Sequence, residues 1–473
     1  MRIQNRTAIL VVIALASYLP PFLITVLSIS APSIGLDFGA STSSLTWLIN
    51  ALIICSVSLA LPFGRLGDLT SRRAMLVIGF VIFTVTSVVI YFVPNLGWLI
   101  ALRVIQGVGS ACTFSTTQAI LADTFPPEQR GRVLGISIAA GYTGLASAPA
   151  IGGLLTNFFG WRSVFIFIAV WSAVAVIAGI MTLPPNSKPR PAKSLRSLMD
   201  IPGCLYFFLA TCSLAFGLNK IPQAYGFALV VLGAVFGVIF IIHEKRVKMP
   251  LLSMRLFSQG PNFLLSSLAS LLNYCATFAV SYLLAIYLQQ AMGLSSALAG
   301  LVLITTPLIQ AVLSPIAGRL SDKYSPFVLA TSGMVICGLS LVMLAFISAQ
   351  TPLWYIFIAL TAIGIGYAVF SSPNMNAIMS NVPREDSGIA VSFVATMRNL
   401  GQLISMAVIA VVMILNIGDT PILTTTPTQI VSITRTSFII LIIFSIVGVF
   451  TSMNRRSAKP PTAEAGSDMT SNS

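Results

Sequence analysis

The chain has 473 residues, of which 56% are hydrophobic and only 8% are charged. A soluble domain carries about 25% charged residues, so this composition excludes a soluble protein and indicates an integral membrane protein. The formal net charge of +14 does not indicate nucleic-acid binding, because the basic residues lie in short loops between apolar runs.

Apolar runs of about twenty residues recur along the whole chain, which is the length that a helix needs to cross a bilayer. Inside lipid the backbone must satisfy its own hydrogen bonds, so we expect these spans to be helices. The first run is too long for a signal-peptide core and lacks a small-residue cleavage site. The first six predicted spans cover approximately residues 9–31, 44–63, 74–93, 97–120, 132–156 and 162–183.

A basic, proline-rich segment separates these spans from two more, at about residues 200–219 and 223–242. The last six predicted spans are approximately 261–289, 296–316, 327–348, 352–376, 388–415 and 434–453. We therefore divide the chain into a six-helix bundle at 1–183, a basic cytoplasmic linker at 184–199, two inserted helices with a cytoplasmic loop at 200–260, a second six-helix bundle at 261–453 and a disordered tail at 454–473.

The basic residues predict the orientation of the chain. Of the 26 Lys and Arg residues, 21 fall in loops on one side, three in loops on the other side, and Arg103 and Arg398 inside helices. The positive-inside rule then places both termini in the cytoplasm, which predicts a multi-pass plasma-membrane protein. Trp47, Trp98 and Trp161, together with Trp354, lie near the outer helix ends, as an interfacial aromatic belt requires.

A short charged loop joins the second and third spans, with the sequence Gly64-Arg65-Leu66-Gly67-Asp68-Leu69-Thr70-Ser71-Arg72-Arg73. A diverged copy, Gly318-Arg319-Leu320-Ser321-Asp322, begins 254 residues later. Any short cytoplasmic loop can collect basic residues, but duplication at corresponding places in two halves favours a functional motif. The duplicated loop resembles the loop signature of the major facilitator superfamily, a family of membrane transporters.

This resemblance implies an all-α integral membrane protein with the major facilitator fold: two six-helix bundles plus two inserted helices, or fourteen transmembrane helices. An aspartate between cations can make or break charge-assisted bonds as helix ends move. The motif therefore predicts a conformational latch formed by Gly64, Arg65, Asp68, Arg72, Arg73, Gly318, Arg319 and Asp322.

The fifth span carries the sequences Gly141-Tyr142-Thr143-Gly144 and Ala148-Pro149-Ala150-Ile151-Gly152-Gly153. They resemble the glycine- and proline-rich signature that marks exporters within the superfamily. Small residues allow close packing of this helix, and a proline weakens its hydrogen-bond ladder where bending is needed. A tightly packed helix without a transport role is the alternative. The predicted exporter motif consists of Gly144, Pro149, Gly152 and Gly153.

Two arginines lie within spans, where an isolated charge is costly and must face protein or water. Arg103 resembles the arginine in the fourth-helix motif of proton antiporters, and a purely structural hydrogen-bonding role is its alternative to a place in the cavity. Arg398 lies in the thirteenth span, where fourteen-helix drug exporters have a similar arginine, and snorkelling to the membrane surface is its alternative. Further polar residues of the fourth, ninth, twelfth and thirteenth spans complete the predicted cavity: Gln106, Ser110, Asn273, Thr277, Asn374, Asn376 and Gln402.

One expected residue is missing from the first span. Relatives of this type usually carry an aspartate there, and aligning their motif with Ser30-Ala31-Pro32 puts Leu23 at its position. None of the twelve acidic residues lies in the middle of a predicted span. The chain therefore lacks the obvious membrane-embedded proton carrier and the obvious attractor for a cationic drug.

The resemblance to fourteen-helix drug/proton antiporters implies a secondary active transporter, namely a proton-coupled multidrug efflux protein that works by alternating access. A transporter of an anionic or neutral solute, or a non-transporting membrane sensor with the same fold, are the alternatives. The sequence predicts no enzyme activity, cofactor or metal, and its six scattered cysteines fit neither a disulfide framework nor a metal cluster. The expected partners are a small-molecule substrate, a proton or other ion gradient and the lipid bilayer, for a monomer that binds no nucleic acid.

Overall fold

The structure is a computed structural model that describes residues 6–125, 127–183, 200–221, 223–247, 261–321, 323–379, 382, 387–418 and 425–455. The predicted linker at 184–199, almost all of the predicted tail and Asp322 lie outside these ranges. The side chain of Asp68 also lies outside the description.

The first half of the chain forms six helices, and a pair of helices follows it. The first six, α1 to α6, are Arg6–Phe38, Thr42–Leu69, Arg72–Tyr91, Leu96–Thr124, Pro127–Phe159 and Arg162–Thr182. The pair, α7 and α8, is Ile201–Lys220 and Ala224–Glu244. Several of these helices exceed the predicted spans by one to three turns because they continue beyond the apolar run.

The second half contains helices α9 to α16 and one π-helix. They are Pro261–Thr277 (α9), Val280–Ile286 (α10), the π-helix Tyr287–Ala291, Ser296–Leu303 (α11), Thr305–Ser321 (α12), Pro326–Ala345 (α13), Leu353–Met379 (α14), Ser387–Ile417 (α15) and Pro427–Met453 (α16). The described residues contain no β-strand.

The predicted ninth span is interrupted rather than continuous. Helix α9 ends at Thr277 and α10 begins at Val280. The freed N–H of Ala279 donates a hydrogen bond of 3.2 Å to Oγ of Ser405 on α15. A break at membrane depth is tolerated because a neighbouring side chain satisfies the backbone.

Among the described residues, thirteen helical segments are long and apolar enough to cross a membrane. Helix α5 has 33 residues, of which six are glycine. The side chains of most residues near its start lie outside the description.

Helices α1 to α6 pack mainly among themselves, as do α9 to α16, and α7 pairs with α8. The two halves meet where α5 contacts α11 and α12, and where α2 contacts α15. We call the end of the molecule that carries Asp37 and Trp161 the outer end, following the predicted orientation.

Close helix contacts depend on glycines that leave no room for a side chain. A Cβ on Gly153 of α5 would lie 2.5 Å from the carbonyl oxygen of Ser296 and 3.3 Å from Cα of Gly300. A Cβ on Gly152 would lie 2.6 Å from Val26 of α1. Because lipid tails are as apolar as the helix surfaces, such close van der Waals packing stabilises association in a membrane.

We expect Gly153→Val to lower the free energy of unfolding by about 1–3 kcal/mol, because the added methyl groups collide with the backbone of α11. Gly237→Val is the matched control, since no atom lies within 4 Å of a Cβ on Gly237. Unfolding of the purified variants in detergent measures the difference. Equal stabilities would contradict the close α5–α11 contact.

Candidate functional site

Arg398 lies between the two halves and is surrounded by aromatic rings. Its guanidinium carbon is 5.6 Å from the ring centre of Phe114 on α4 and 5.9 Å from that of Tyr274 on α9. Phe114 belongs to the first half and Tyr274 to the second. Aromatic faces attract a cation and hold it without a counter-ion.

Two more tyrosines lie near Tyr274. The rings of Tyr274 and Tyr367 meet edge to face at 5.7 Å, and the hydroxyl of Tyr367 lies 2.6 Å from that of Thr277. The Tyr142 hydroxyl of α5 lies 2.8 Å from Oγ of Ser371 on α14, which joins the two halves. Tyr142 is also near both other tyrosines. We call Phe114, Tyr142, Tyr274 and Tyr367 the aromatic layer.

Three buried polar atoms on α9 and α15, the helices that carry Tyr274 and Arg398, have no hydrogen-bond partner within the described part of the chain: Nε of Arg398, Nδ2 of Asn273 and Oε1 of Gln402. The backbone of α15 passes close to α9 here, because a Cβ on Gly401 would lie 2.9 Å from Cβ of Tyr274. Buried polar groups are normally paired, so uncommitted donors and an acceptor beside a cation suit a polar ligand.

Arg103 lies inside the first half instead of between the halves. It is fully buried, and it donates hydrogen bonds to the carbonyls of Leu48 (3.2 Å) and Leu23 (3.0 Å) and to Oε1 of Gln106 (2.8 Å). Gln106 in turn donates to Ser87 at 3.0 Å. The group connects α1, α2, α3 and α4. The carbonyl that accepts from the guanidinium belongs to Leu23, the residue at the position where the sequence motif predicted an aspartate.

The remaining predicted cavity residue of α4 takes part in the same internal packing. Oγ of Ser110 accepts a hydrogen bond of 3.0 Å from Ser56 on α2. Arg103, Gln106 and Ser110 thus lie together, whereas Arg398 lies apart from them at the interface between the halves.

Arg455 is also buried, and it was not predicted because it follows the last predicted span. It donates hydrogen bonds from Nη1 to Oδ1 of Asn374 (2.6 Å) and to Oγ of Ser266 (3.2 Å). Its guanidinium lies 5.3 Å from the ring centre of Phe327. Burial lowers the pKa of Arg455 to about 10, so the side chain stays charged at neutral pH.

Two predicted cavity residues of α14 bond to side chains within the second half. Asn374 donates to Oγ of Ser270 at 2.9 Å and is committed to packing inside the second half. Asn376 donates to Oγ of Ser321 at the end of α12, at 3.0 Å. The sequence contained a signal for these contacts. The ninth and twelfth spans both carry polar residues, and in lipid such side chains form hydrogen bonds with a neighbouring helix.

The predicted latch is placed only in part. Arg73 donates a hydrogen bond of 2.6 Å to the carbonyl of Ile180 at the end of α6. A Cβ on Gly64 would lie 3.5 Å from Cβ of Ser115. Oγ of Ser372 would lie 2.9 Å from a Cβ on Gly318. Arg65 and Arg72 are half-buried, Arg319 is exposed, and Asp322 and the Asp68 side chain lie outside the described residues.

The two halves touch at their outer ends. Oγ of Ser296 lies 3.4 Å from the carbonyl of Gly153, and Gln289 of the π-helix donates to the carbonyl of Ile29 at 3.1 Å. The exporter-like motif contributes directly, because the carbonyl of Pro149 faces Gly300. These contacts close the outer end in this structure.

A salt bridge that the sequence did not predict also lies at the outer end. Asp37 pairs with Arg162 at 2.7 Å and accepts a hydrogen bond of 3.1 Å from Nε1 of Trp161. Trp161 is therefore buried, whereas Trp98 and Trp354 are exposed as the predicted aromatic belt requires. Within the described residues, no group of three or more His, Cys, Asp or Glu side chains could hold a metal ion.

The chain matches the family model described as Major Facilitator Superfamily over residues 10–243 and 266–470. It is 32% identical over 400 residues to the riboflavin transporter RibZ of Clostridioides difficile, which covers 84% of this chain and 86% of that protein. It is 26% identical to the methylenomycin A resistance protein of Streptomyces coelicolor over 82% of each chain. It is 28% identical to the methyl viologen resistance protein SmvA of Salmonella typhimurium over 81% of this chain and 78% of that one.

Solved transporter structures share the fold at low sequence identity. A peptide transporter POT in complex with sulfate has a TM-score of 0.71 at 13% identity and covers 94% of each chain. The human organic anion transporter MFSD10 (TETRAN) has a TM-score of 0.66 at 14% identity, covering 95% of this chain and 99% of that chain.

We expect replacement of Arg103 and replacement of Arg398 to have different effects. Arg103→Ala should lower the free energy of unfolding by at least about 3 kcal/mol, because each hydrogen bond to a charged group contributes about 1.5–3 kcal/mol. Arg398→Ala should leave stability within about 1 kcal/mol. It should also slow transport about tenfold, as a loss of roughly 1.4 kcal/mol of substrate interaction would. Unfolding in detergent and dye transport at matched expression separate the two effects, and equal destabilisation would contradict the assignment.

Proposed function

This chain belongs to the Major Facilitator Superfamily, and we propose that it exports planar organic compounds, neutral or anionic, in exchange for protons. The observation that carries the proposal is Arg398, a cation held between aromatic rings from both halves with its Nε–H unused. A site shared by both halves near the middle of the molecule is where alternating access requires the substrate to bind.

The aromatic layer favours planar cargo. A flat ring system can stack on Phe114 and the tyrosines, because offset or edge-to-face aromatic contacts are stabilising. A carboxylate or another anionic group on that ring system can accept a charge-assisted hydrogen bond from Arg398. The uncommitted amide atoms of Asn273 and Gln402 supply a further donor and acceptor for neutral polar substituents.

The same arginine disfavours cationic cargo. Two unit charges of the same sign repel by about 4 kcal/mol at 4 Å with an effective dielectric constant near 20. The sequence offers no carboxylate in the middle of a span to offset this repulsion. The names of the relatives do not agree on the charge of the substrate, since riboflavin is an uncharged planar molecule and methyl viologen is a dication. The preference for anions and neutral compounds therefore rests on Arg398.

The direction of transport rests on α5. Pro149 and Gly153 of its exporter-like motif contact α11 at the outer end, and two of the relatives named above are resistance proteins. Export requires these contacts to separate while the opposite ends approach. The duplicated loop with Asp68 and Asp322 is proposed to act as the latch on the cytoplasmic side.

We expect inside-out vesicles with an imposed pH gradient to accumulate an anionic or neutral aromatic dye in preference to ethidium. The expected ratio of initial rates is about tenfold or more, corresponding to at least 1.4 kcal/mol of discrimination. Vesicles that contain the Arg398→Ala variant are the control and should lose the preference. Proton-driven accumulation of ethidium alone would contradict the proposal.

A further inference from the structure

An open cavity of about 510 Å³ lies at the outer end of the first half. Its walls come from the last turn of α1, the end of α3 and the turn that joins α5 to α6. The lining residues that carry the argument are Leu36, Asp37, Tyr91, Phe159, Trp161 and Arg162. None of the residues of the aromatic layer lines this cavity, so it is distinct from the site around Arg398.

The turn between α5 and α6 has a defined shape of its own. Gly160 has a φ of +79°, a conformation that glycine adopts without strain. Its carbonyl oxygen accepts a hydrogen bond of 2.7 Å from Oγ of Ser163. The ring of Trp161 is buried and meets that of Phe38 edge to face. The wall formed by this turn is therefore held in place by contacts within the protein.

Two opposite charges lie side by side on the cavity wall. Nη1 of Arg162 is 2.7 Å from Oδ2 of Asp37, and the same oxygen accepts a hydrogen bond of 3.1 Å from Nε1 of Trp161. Among the described residues, the hydrogen bonds of this pair use only Oδ2 of the aspartate and Nη1 of the arginine. The side chains of Asp37 and Arg162 are 43% and 34% exposed, so one carboxylate oxygen and further guanidinium N–H groups can bind a ligand.

A ligand that complements this pair carries a positive and a negative group close together. An ammonium group can donate to the carboxylate of Asp37, and the planar guanidinium of Arg162 matches the geometry of a phosphate. A primary ammonium fits better than a quaternary one, because only the primary group has N–H donors. The ring of Trp161 would attract a quaternary ammonium, but the guanidinium of Arg162 already lies 4.3 Å from its centre.

The cavity lies at the depth of lipid head groups. Asp37 is in the last turn of α1, and Arg162 is the first residue of α6. Trp98 begins another helix at the same end and is exposed, as tryptophans at the membrane interface are. Phe159, on the cavity wall, is 76% exposed, and Tyr91 is exposed beside it. Exposed apolar rings next to a polar cavity suit a ligand with an apolar tail.

We propose that this cavity binds the head group of phosphatidylethanolamine from the outer leaflet. Its ammonium group contacts Asp37, its phosphate contacts Arg162, and its acyl chains lie against Phe159 and Tyr91. Because these residues come from α1, α3, α5 and α6, the bound lipid connects the outer ends of four helices of the first half. The lipid is neither cargo nor coupling ion, so the inference goes beyond the proposed function.

The test measures lipid binding to the purified, delipidated full chain in detergent by native mass spectrometry. Phosphatidylethanolamine and phosphatidylcholine with identical acyl chains are compared, since they differ only in the N–H groups of the ammonium. We expect the wild type to bind phosphatidylethanolamine about tenfold more tightly. Asp37→Asn and Arg162→Gln should abolish this preference, because each removes one charge of the pair.

Phe159→Ala leaves the charge pair intact and keeps the test valid if the charge variants do not fold. It should weaken the binding of phosphatidylethanolamine about fivefold by removing contact with the acyl chains. Phe158→Ala is the matched control, because Phe158 is a neighbouring exposed ring that does not line the cavity. It should bind as the wild type does.

Three results would overturn the proposal. The first is equal affinity of the wild type for the two lipids. The second is wild-type binding of phosphatidylethanolamine in the folded charge variants and in Phe159→Ala, or the same loss in Phe158→Ala as in Phe159→Ala, since the lipid would then bind elsewhere. The third is displacement of the lipid by an equal concentration of phosphoethanolamine, which would assign the cavity to a soluble zwitterion.

Discussion

The fold depends on burying arginines in a chain that has no carboxylate in the middle of a span to pair with them. A buried guanidinium is costly unless its charge and its N–H groups find partners. Arg103 donates hydrogen bonds to backbone carbonyls and a glutamine. Arg455 donates hydrogen bonds to an asparagine and a serine and lies over an aromatic ring. Each of these two arginines joins several helices within one half, so each half is held together by a cation without a buried anion.

Arg398 differs because its partners come from both halves and leave one N–H unused. Aromatic faces hold the charge through a weak, broad attraction, which allows the halves to move relative to each other more easily than fixed ion pairs would. An anionic group of the substrate would complete this site.

Much of this architecture could be predicted from the sequence. The resemblance to the major facilitator superfamily is confirmed, and apolar runs located the helices because lipid demands a continuous hydrogen-bonded backbone. The break between α9 and α10 could not be predicted, since it depends on Ser405 from a distant helix. The spacing of polar residues along the spans indicated that Arg103 and Asn374 are buried. It could not show whether their side chains pack inside one half or line a cavity between the two halves. Arg455 was missed because its burial depends on contacts with residues distant in the sequence, Ser266, Phe327 and Asn374.

The central claim is that Arg398 recognises an anionic group on a planar substrate. The most direct test compares the dissociation constants of a fluorescent aromatic carboxylate and its uncharged methyl ester, measured by anisotropy on the purified protein and on Arg398→Gln. We predict that the wild type binds the carboxylate about tenfold more tightly than the ester, as a gain of roughly 1.4 kcal/mol requires, and that Arg398→Gln binds the two equally. An unchanged preference for the carboxylate in Arg398→Gln would contradict the account.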